Sequence, residues 1–489
     1  MKKGHRSNGR RPFSILHINT STYYDECTYP QVTNKMTFSI TQKSQLEGAH
    51  RLDAEYYQPE YLLNGKALAN YGYDVLQSFS SISITKGETP LWRGDDYLNK
   101  GIPFLRSENL TPLGLDISSI VFISNKVHER MKRSHILPGD ILVAIVGATI
   151  GQNGLVTDDY SEYNSNQAIA IIRPSRKELS AYLGIVLETK YCQLQIERLK
   201  GGGARDNLDL HEVQVIKIPK PSAGIIEYCK AALLEITSLK KITQSLYSQA
   251  ENLLLEELGL KDKKFDEDLT TVVKFSDIKK AERMDADYFQ PKYEKLISKI
   301  KSQKSKLLGD IATIKKGIEP GAEAYQDEGK LFIRVSSLSK QGITDKDEKY
   351  LNEKLYETLK QNYQPRVGEV LLTKDASPGV AYALKENIEG IISGGILRLK
   401  IKEDIDPEYI ALCINSSIGQ MQVERDSGGS IIRHWKPEQV KQMLIPILSK
   451  PIQQKIADLV RQSHQARKKS KQLLEEAKDK VEEMIEKRV

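Results

Sequence analysis

The chain has 489 residues, of which 28% are charged and 39% hydrophobic, and its formal net charge is +7. It contains no apolar run of about 18 residues, which excludes a membrane-spanning helix. The four cysteines lie far apart, which argues against a zinc site or a disulfide framework and fits a reducing cytoplasm. The charge permits nucleic-acid binding but is weaker than the strongly basic signature of such proteins.

The start of the chain differs in composition from the rest. Residues 1–36 are polar and lack apolar periodicity, so we predict a disordered tail. Its basic beginning, Met1 to Arg11, lacks the apolar segment of a signal peptide, which again points to a cytoplasmic protein. Translation could start at Met1 or at Met36.

An internal repeat organises the remaining sequence. The segment RLDAEYYQPEY at 51–61 recurs as RMDADYFQPKY at 283–293, with seven of eleven positions identical. Further matching segments follow both copies in the same order, which indicates two copies of one folding unit. The motif carries the carboxylates of Asp53 and Glu55. Its alternation of charged and aromatic residues indicates a docking segment rather than a catalytic pair.

Each copy of the repeat mixes strands and helices. Short runs rich in strand-forming residues, such as 140–145 and 369–372, are separated by Gly and Pro turns. Helical patterns follow near 178–199 and 407–422. We therefore predict an α+β fold for each copy.

A long helix is predicted after each copy. Apolar or small residues recur at steps of four and three from Ile225 to Ala250 and from Ile452 to Ala477, which is typical of a coiled-coil seam. We predict antiparallel pairing, because a parallel pair would need a linker that doubles back along the helices. The predicted order, with pseudo-two-fold symmetry, is a tail (1–36), a globular unit (37–222), a central helix (223–260), a second globular unit (261–449) and a C-terminal helix (450–489).

Polar loops follow equivalent strands of both copies, and their sequences diverge while the frameworks repeat. Such loops are suited to contacts with base edges or phosphates. Two glycine clusters, at 201–203 and 428–429, suit a close approach to phosphates, although a helix cap with a flexible connector remains an alternative. The predicted DNA-binding residues are Arg106, Ser107, Glu108, Asn109, Gly147, Thr149, Gly151, Gln152, Gly202, Arg205, Asn207, Arg334, Ser336, Ser337, Lys374, Ser377, Ser427, Gly428, Ser430 and Arg433.

Alternative interpretations exist for several of these residues and for the chain. Arg106 and Arg334 could form surface salt bridges at strand ends, and Trp435 suits simple packing. The sequence lacks a Walker lysine loop, a Gly-x-Gly-x-x-Gly turn, a His-Glu-x-x-His motif and the Asn/Asp-Pro-Pro-Tyr/Phe motif of amino-group DNA methyltransferases. Two rival functions stay open: an enzyme whose catalytic motif has drifted, and a coiled-coil scaffold without DNA contact.

Over residues 37–489 the sequence resembles the specificity subunit of a type I restriction–modification system. The resemblance is carried by the repeat, by FLRSENL at 104–110, by LPGDILV at 137–143 with GATIG at 147–151, and by IPILSKPIQQKIA at 445–457. The second copy departs from the pattern, because KDASPG at 374–379 stands where VGATIG stands in the first.

The resemblance implies two target-recognition domains that each read one half of a bipartite site on double-stranded DNA. The helices would set the distance between them and dock two DNA methyltransferase subunits, and the resemblance allows restriction or translocase subunits as further partners. S-adenosylmethionine and ATP would belong to those partners. We therefore expect a non-catalytic reader of DNA with no cofactor, no metal and no catalytic residue of its own.

Overall fold

The structure is a computed structural model that describes residues 15–19, 38–46, 52–90, 94–147, 149–200, 207–261, 263, 270–344, 348–427 and 433–487. The chain divides into two compact units, which we call unit 1 (residues 1–238 and 470–489) and unit 2 (residues 239–469). No helix within the described ranges combines the length and the apolar character needed to cross a membrane.

Unit 1 contains thirteen described strands, five complete helices and the first half of a sixth helix. The strands are β1 (Ile15–Asn19), β2 (Phe38–Gln42), β3 (Tyr73–Val75), β4 (Thr85–Lys86), β5 (Ile102–Leu105), β6 (Leu110–Thr111), β7 (Gly114–Leu115), β8 (Val121–Ile123), β9 (Ile141–Ala144), β10 (Asn153–Leu155), β11 (Asn164–Ser165), β12 (Ile169–Ile172) and β13 (Lys217–Pro219). The helices are α1 (Pro59–Tyr71), α2 (Asn125–Arg130), α3 (Leu179–Glu188), α4 (Lys190–Leu199), α5 (Leu210–Gln214) and α6 (Ala223–Glu257), whose second half belongs to unit 2.

Unit 2 contains the remaining described elements. Its strands are β14 (Ser305–Leu307), β15 (Ala312–Lys316), β16 (Lys330–Ile333), β17 (Leu338–Ser339), β18 (Gly342–Ile343), β19 (Tyr350–Leu351), β20 (Val370–Thr373), β21 (Asp375–Ala376), β22 (Ala381–Ala383), β23 (Gly390–Ile392), β24 (Ile396–Ile401), β25 (Arg433–His434) and β26 (Leu444–Pro446). Its helices are α7 (Phe275–Ala281), α8 (Pro291–Lys301), α9 (Leu308–Ile311), α10 (Glu353–Tyr363), α11 (Pro407–Asn415), α12 (Ser417–Asp426), α13 (Pro437–Lys441) and α14 (Lys450–Glu486), which ends in unit 1.

The sheets of both units have the same strand order. Unit 1 has an antiparallel sheet β10-β9-β12-β4, a mixed sheet β11-β5-β8 and a ribbon β13-β3. Unit 2 has the antiparallel sheet β22-β20-β24-β15, the mixed sheet β23-β16-β19 and the ribbon β26-β14. Each unit is therefore α+β, as predicted, and the sequence repeat corresponds to a repeated sheet topology.

The central strands of the antiparallel sheet of each unit are buried on both faces. In unit 1, Ile141 and Val143 pack with helices α3 and α4, whereas Leu142 and Ala144 pack toward Leu105 of the mixed sheet. Successive strand residues point to opposite faces, so a strand that is covered on both sides is apolar throughout. Burial of each Val, Leu or Ile side chain contributes about 1.5–3 kcal/mol, which explains why these short strands hold together.

The long helices contact each other within each unit. In unit 2 the Ser463 hydroxyl donates to the Thr243 carbonyl at 2.7 Å. In unit 1 the Ser470 hydroxyl reaches the Ile236 carbonyl at 3.5 Å. Both serines are buried, and their small size lets one helix backbone come close to the other. The predicted seam therefore faces a neighbouring helix in both units.

The predicted disordered tail is wrong for one described segment. Strand β1, with the sequence ILHIN, pairs in parallel with β2. Its residues have high strand propensity, and a second strand from beyond residue 36 supplies partners for its backbone groups. The other residues of 1–36 lie outside the described residues.

Candidate functional site

Four loops meet at one edge of unit 1. They are residues 87–89 after β4, 106–109 after β5, 145–152 after β9, and 166–168 between β11 and β12. We call them, together with Asn207, the loop edge of unit 1.

The 166–168 turn ties the two sheets of unit 1 together at this edge. The Asn166 N–H donates to the Leu105 carbonyl at 3.1 Å, and the Ile145 N–H donates to the Ala168 carbonyl at 2.9 Å. Beyond them, the Leu208 N–H donates to the Ile145 carbonyl at 2.9 Å. Backbone bonds of this kind are independent of side-chain identity, so the loop side chains can change without losing the frame.

Unit 2 builds the same arrangement. Its loop edge consists of residues 317–319, 334–337, 374–379, 393–395 and 433–435.

The hydrogen bonds of this second loop edge repeat those of the first. The Ser393 N–H donates to the Ile333 carbonyl at 2.8 Å, and the Lys374 N–H donates to the Gly395 carbonyl at 2.9 Å. The Trp435 N–H donates to the Lys374 carbonyl at 2.8 Å. Each unit therefore holds its own loops with the same set of backbone hydrogen bonds.

A matched glycine holds each loop edge together. A Cβ atom on Gly87 would lie 1.9 Å from the Ser165 carbonyl oxygen, and one on Gly317 would lie 2.2 Å from the Ser393 carbonyl oxygen. Only glycine allows this approach of two backbones. Sequence reasoning missed the 87–89, 166–168, 317–319 and 393–395 loops, although the Lys-Gly pair that recurs in the repeat was a signal for two of them.

Two predicted contact residues shape the turns instead of facing outward. Asn109 is 1% exposed, and its Oδ1 accepts from the Arg106 N–H at 2.8 Å. Ser337 is 2% exposed, and its Oγ accepts from the Arg334 N–H at 3.0 Å. Because their polar atoms are already hydrogen-bonded, these residues position the arginine that precedes each turn. Buried and exposed polar residues of these turns are of the same residue types, so the sequence alone does not distinguish the two groups.

The remaining residues of the first turn are accessible. The Arg106 guanidinium pairs with the exposed Glu108 carboxylate at 2.8 Å, the surface ion pair foreseen as the alternative. Ser107 is half-buried, and in unit 2 Arg334 is half-buried and Ser336 exposed. An exposed ion pair contributes at most about 1 kcal/mol, so Arg106 can exchange Glu108 for a phosphate at little cost.

The loop after β9 has an anchored end and an open end. The Gly151 carbonyl accepts from the Gln193 amide at 3.1 Å, and the Gln152 amide donates to the Leu110 carbonyl at 2.6 Å. Gly147 is exposed, with a φ of +90°, and Thr149 is half-buried. The open end of this loop is therefore the part available to a ligand.

In unit 2 the corresponding loop carries a charged cluster. The Lys374 ammonium pairs with the Asp375 carboxylate, and the His434 Nδ1 lies 2.7 Å from the same carboxylate. Burial alone would raise the pKa of Asp375, but bonds from Lys374 and His434 hold it below its ordinary value. Lys374 is buried, whereas Ser377 and Arg433 are exposed.

The predicted glycine clusters are only partly described. Gly202, Arg205, Gly428 and Ser430 lie outside the described residues. Among the flanking residues, Asn207 is exposed, whereas Ser427 is 2% exposed and caps the end of α12. The Trp435 side chain is fully buried, which is the packing role foreseen as its alternative.

The repeated Arg-x-Asp motif docks onto the helix that leads to the loop edge. Arg283 pairs with Asp285 at 2.6 Å and donates to the Asp426 carbonyl at 3.0 Å. The Tyr288 ring lies under both Arg283 and Arg425, with centroid distances of 4.7 and 4.4 Å. The ion pair lowers the pKa of Asp285. These contacts are those of a docking segment, and the Asp285 carboxylate is engaged in them.

One group of three residues in the described ranges has metal-ligand spacing: His128, His135 and Glu162. The Asn164 Oδ1 accepts from the Ser165 N–H at 2.9 Å, which turns its amide nitrogen toward the His128 Nδ1 at 3.1 Å. The His128 Nδ1 is then an acceptor, so its Nε2 carries the proton and faces Glu162 at 3.2 Å. A metal ion on Nε2 would need the opposite tautomer, so the group fits a hydrogen-bonded cluster better.

Comparison with known proteins connects this architecture to a family. Residues 300–478 match the family model of the type I restriction modification DNA specificity domain. The chain is 30% identical over 162 residues to the type I restriction enzyme EcoBI specificity subunit of Escherichia coli. That match covers 33% of this chain and only 33% of the relative's length.

Solved structures give weaker similarities. The chain is similar to the S subunit of a type I restriction–modification system from M. genitalium, with 14% identity, a TM-score of 0.37, and coverage of 85% of this chain and 95% of that chain. It is also similar to the HsdS subunit from Thermoanaerobacter tengcongensis, with 12% identity, a TM-score of 0.27, and coverage of 85% and 96%.

The resemblance read from the sequence is confirmed. Residues 300–478 are similar to the type I restriction modification DNA specificity domain, and a stretch of 162 residues is similar to the EcoBI specificity subunit.

Proposed function

We propose that this chain is the sequence-specific DNA-recognition subunit of a type I restriction–modification complex. It would read a bipartite target with two recognition domains, residues 37–222 and 261–449. The observation that carries the proposal is the loop edge, which both units build with equivalent backbone hydrogen bonds but with different side chains. A shared frame with unlike side chains suits the recognition of two different half-sites.

The exposed side chains of the loop edges offer suitable chemistry for base and phosphate contacts. Unit 1 presents Glu108 and Asn207, and unit 2 presents Ser336, Ser377 and Arg433. Arginine pairs with guanine, asparagine with adenine and glutamate with cytosine in the major groove. Arg106, released from Glu108, would bind a phosphate.

We propose that the long helices pair antiparallel, set the distance between the half-sites and dock two DNA methyltransferase subunits. The pairing of the helices is supported within unit 2, where the Ser463 hydroxyl donates to the Thr243 carbonyl, and within unit 1, where the Ser470 hydroxyl reaches the Ile236 carbonyl. Restriction or translocase subunits would join the same complex in the cytoplasm.

The chain itself would be non-catalytic. S-adenosylmethionine and ATP would bind to the partner subunits, so this chain would contribute recognition and geometry only. In support, the repeated motif commits the Asp285 carboxylate to the ion pair with Arg283, which leaves it unavailable as a general base.

An exchange of recognition domains tests the proposal. Residues 300–440 are replaced by the equivalent segment of another specificity subunit, and the hybrid is expressed with the methyltransferase subunit of its own system. Mapping of methylated sites should show a change in one half of the target and none in the other. A change in both halves, or an unaltered target, would contradict the proposal.

A further inference from the structure

Unit 2 has an open groove at the end of its antiparallel sheet that lies away from the loop edge. The groove has a volume of about 390 Å³ and lies between β15 and β24 on one side and the segment after α10 on the other. The loop edge follows the C-terminal end of β20, whereas this groove is lined by Gly368 and Glu369, just before β20 begins. It is therefore separate from the candidate DNA-reading loops of the same unit.

The groove is lined by a cluster of positive charges. In the sheet, Lys315 lies opposite Arg398 and Thr313 lies opposite Lys400, so the three cations project from one face of the sheet. Directly opposed residues have Cβ atoms about 4.5–5.5 Å apart, and diagonal ones about 7–8 Å. Arg366 adds a further cation from the facing loop. Like charges at these separations repel one another and destabilise the fold.

Three of the four cations have no partner among the described residues. Lys315, Arg366 and Lys400 are exposed, and their side-chain nitrogens make no ion pair or hydrogen bond with any residue that the structure describes. The fourth, Arg398, is 6% exposed and lies 3.1 Å from the Glu369 carboxylate.

The single carboxylate that lines the groove is already engaged. Besides its ion pair with Arg398, the Glu369 side chain accepts from the Arg366 N–H at 2.9 Å. Arg398 also donates to the carbonyl of Asn362 at 3.2 Å. Glu369 and Arg398 are thus bonded to each other and to the backbone. The positive charges of Lys315, Arg366 and Lys400 are not compensated by any described residue.

Unit 1 provides an internal comparison. In unit 1, Arg173 follows Ile172, which pairs with Ile141. In unit 2, Lys400 follows Leu399, which pairs with Val370. Arg173 and Lys400 therefore occupy equivalent positions in the two sheets. The Arg173 guanidinium, however, is bound by the Asp140 carboxylate at 2.8 Å. The equivalent position in unit 2 carries Lys400, which has no ion pair within the described part of the chain, so the cluster of unpaired cations is not a requirement of the fold.

We propose that the groove of unit 2 is a phosphate-binding site formed by Lys315, Arg366 and Lys400. Ammonium and guanidinium groups make short, charge-assisted hydrogen bonds to phosphate oxygens, and a bound phosphate removes the repulsion among the three cations. The phosphate belongs either to the backbone of a DNA duplex or to a small polyphosphate. The site is independent of base reading by the loop edges.

The test compares two triple variants of the full chain. The groove variant is Lys315→Gln, Arg366→Gln and Lys400→Gln. The control variant is Lys301→Gln, Lys304→Gln and Lys354→Gln, which removes the same charge from exposed lysines of unit 2 that do not line the groove. Circular dichroism and thermal unfolding establish that both variants are folded.

Two probes distinguish the sources of phosphate. Sodium triphosphate is titrated calorimetrically, and a duplex of random sequence is titrated by fluorescence anisotropy at several salt concentrations. We expect the groove variant to lose about tenfold in affinity for one probe, while the control stays within about twofold. Loss of duplex affinity with a salt slope smaller by about 0.9 per lost contact identifies DNA phosphates, and loss of triphosphate affinity alone identifies a small ligand.

The proposal is overturned if the groove variant and the control bind both probes equally well. A chain that binds triphosphate through the groove but binds no DNA would contradict the proposed DNA recognition and leave the phosphate site standing.

Discussion

The Ser463 hydroxyl donates a hydrogen bond to the Thr243 carbonyl at 2.7 Å, which joins the two long helices within unit 2. Ser463 is fully buried, so a larger side chain does not fit at this position. We expect Ser463→Leu to lower the free energy of unfolding by about 1–3 kcal/mol through overpacking, measured by urea denaturation.

Gln465→Leu is the matched control, because Gln465 is exposed on the same helix. Equal stability of the Ser463→Leu and Gln465→Leu chains would show that the helices do not touch at Thr243.

Gly317 is expected to be intolerant of any side chain. A Cβ atom there would lie 2.2 Å from the Ser393 carbonyl oxygen and 2.4 Å from the Ile392 carbonyl oxygen. Gly317→Ala should therefore separate two loops of the edge, cost about 2–4 kcal/mol in the free energy of unfolding, and weaken recognition of the half-site read by unit 2.

Unfolding and half-site methylation of the Gly317→Ala chain are compared with those of Gly224→Ala. Gly224 lies in α6, where the nearest heavy atom to a new Cβ is 4.0 Å away, and alanine favours a helix. If both variants were as stable as the parent, the close approach at the loop edge would be refuted.

Asp426 should make the stability of the protein depend on pH. Burial raises its pKa to about 6 from an ordinary value of 3.8, even though the charges of Arg425 and Arg283 oppose the shift. The folded chain therefore binds more protons than the unfolded chain between these pH values. The stabilisation from this proton is fully present below pH 3.8 and is lost as the pH rises through 6, by about 3 kcal/mol.

Asp426→Asn removes this titration. The variant should gain stability relative to the parent as the pH rises from 4 to 7.5, measured by urea denaturation at each pH. Asp310→Asn serves as the control, since Asp310 lies in unit 2 outside this cluster. A difference between parent and Asp426→Asn that does not change with pH would rule out the titration of this carboxyl.

Glu108 restrains the Arg106 guanidinium through an ion pair of 2.8 Å. Glu108→Gln should raise the affinity for a duplex of random sequence by about threefold, because it removes a negative charge beside the loop edge and releases Arg106 for phosphate. Anisotropy titration at low salt measures the change.

Glu129→Gln provides the comparison, because Glu129 is an exposed acid of unit 1 on α2. A similar rise for both variants would mean that net charge, and not Arg106, sets the affinity.

The sequence by itself determined the repeat, the α+β character of each copy and the positions of the long helices. Short stretches of sequence are enough to identify these features. Examples are the matching segments 51–61 and 283–293 and the periodicity of apolar residues that begins at Ile225 and at Ile452. The spacing of apolar residues indicates which face of a helix or strand is buried. The repeated sequence indicates that the chain contains two copies of the same folding unit.

Only the tertiary structure decided which polar residues of the loops are available. Asn109 and Arg106 are both polar residues of one turn, yet Asn109 is buried in turn hydrogen bonds. The same holds for Lys374, which is buried against Asp375, and for Gly317, whose role depends on a carbonyl at residue 393. Burial, pairing and close approach arise between segments distant in the chain, so no local pattern of residues specifies them.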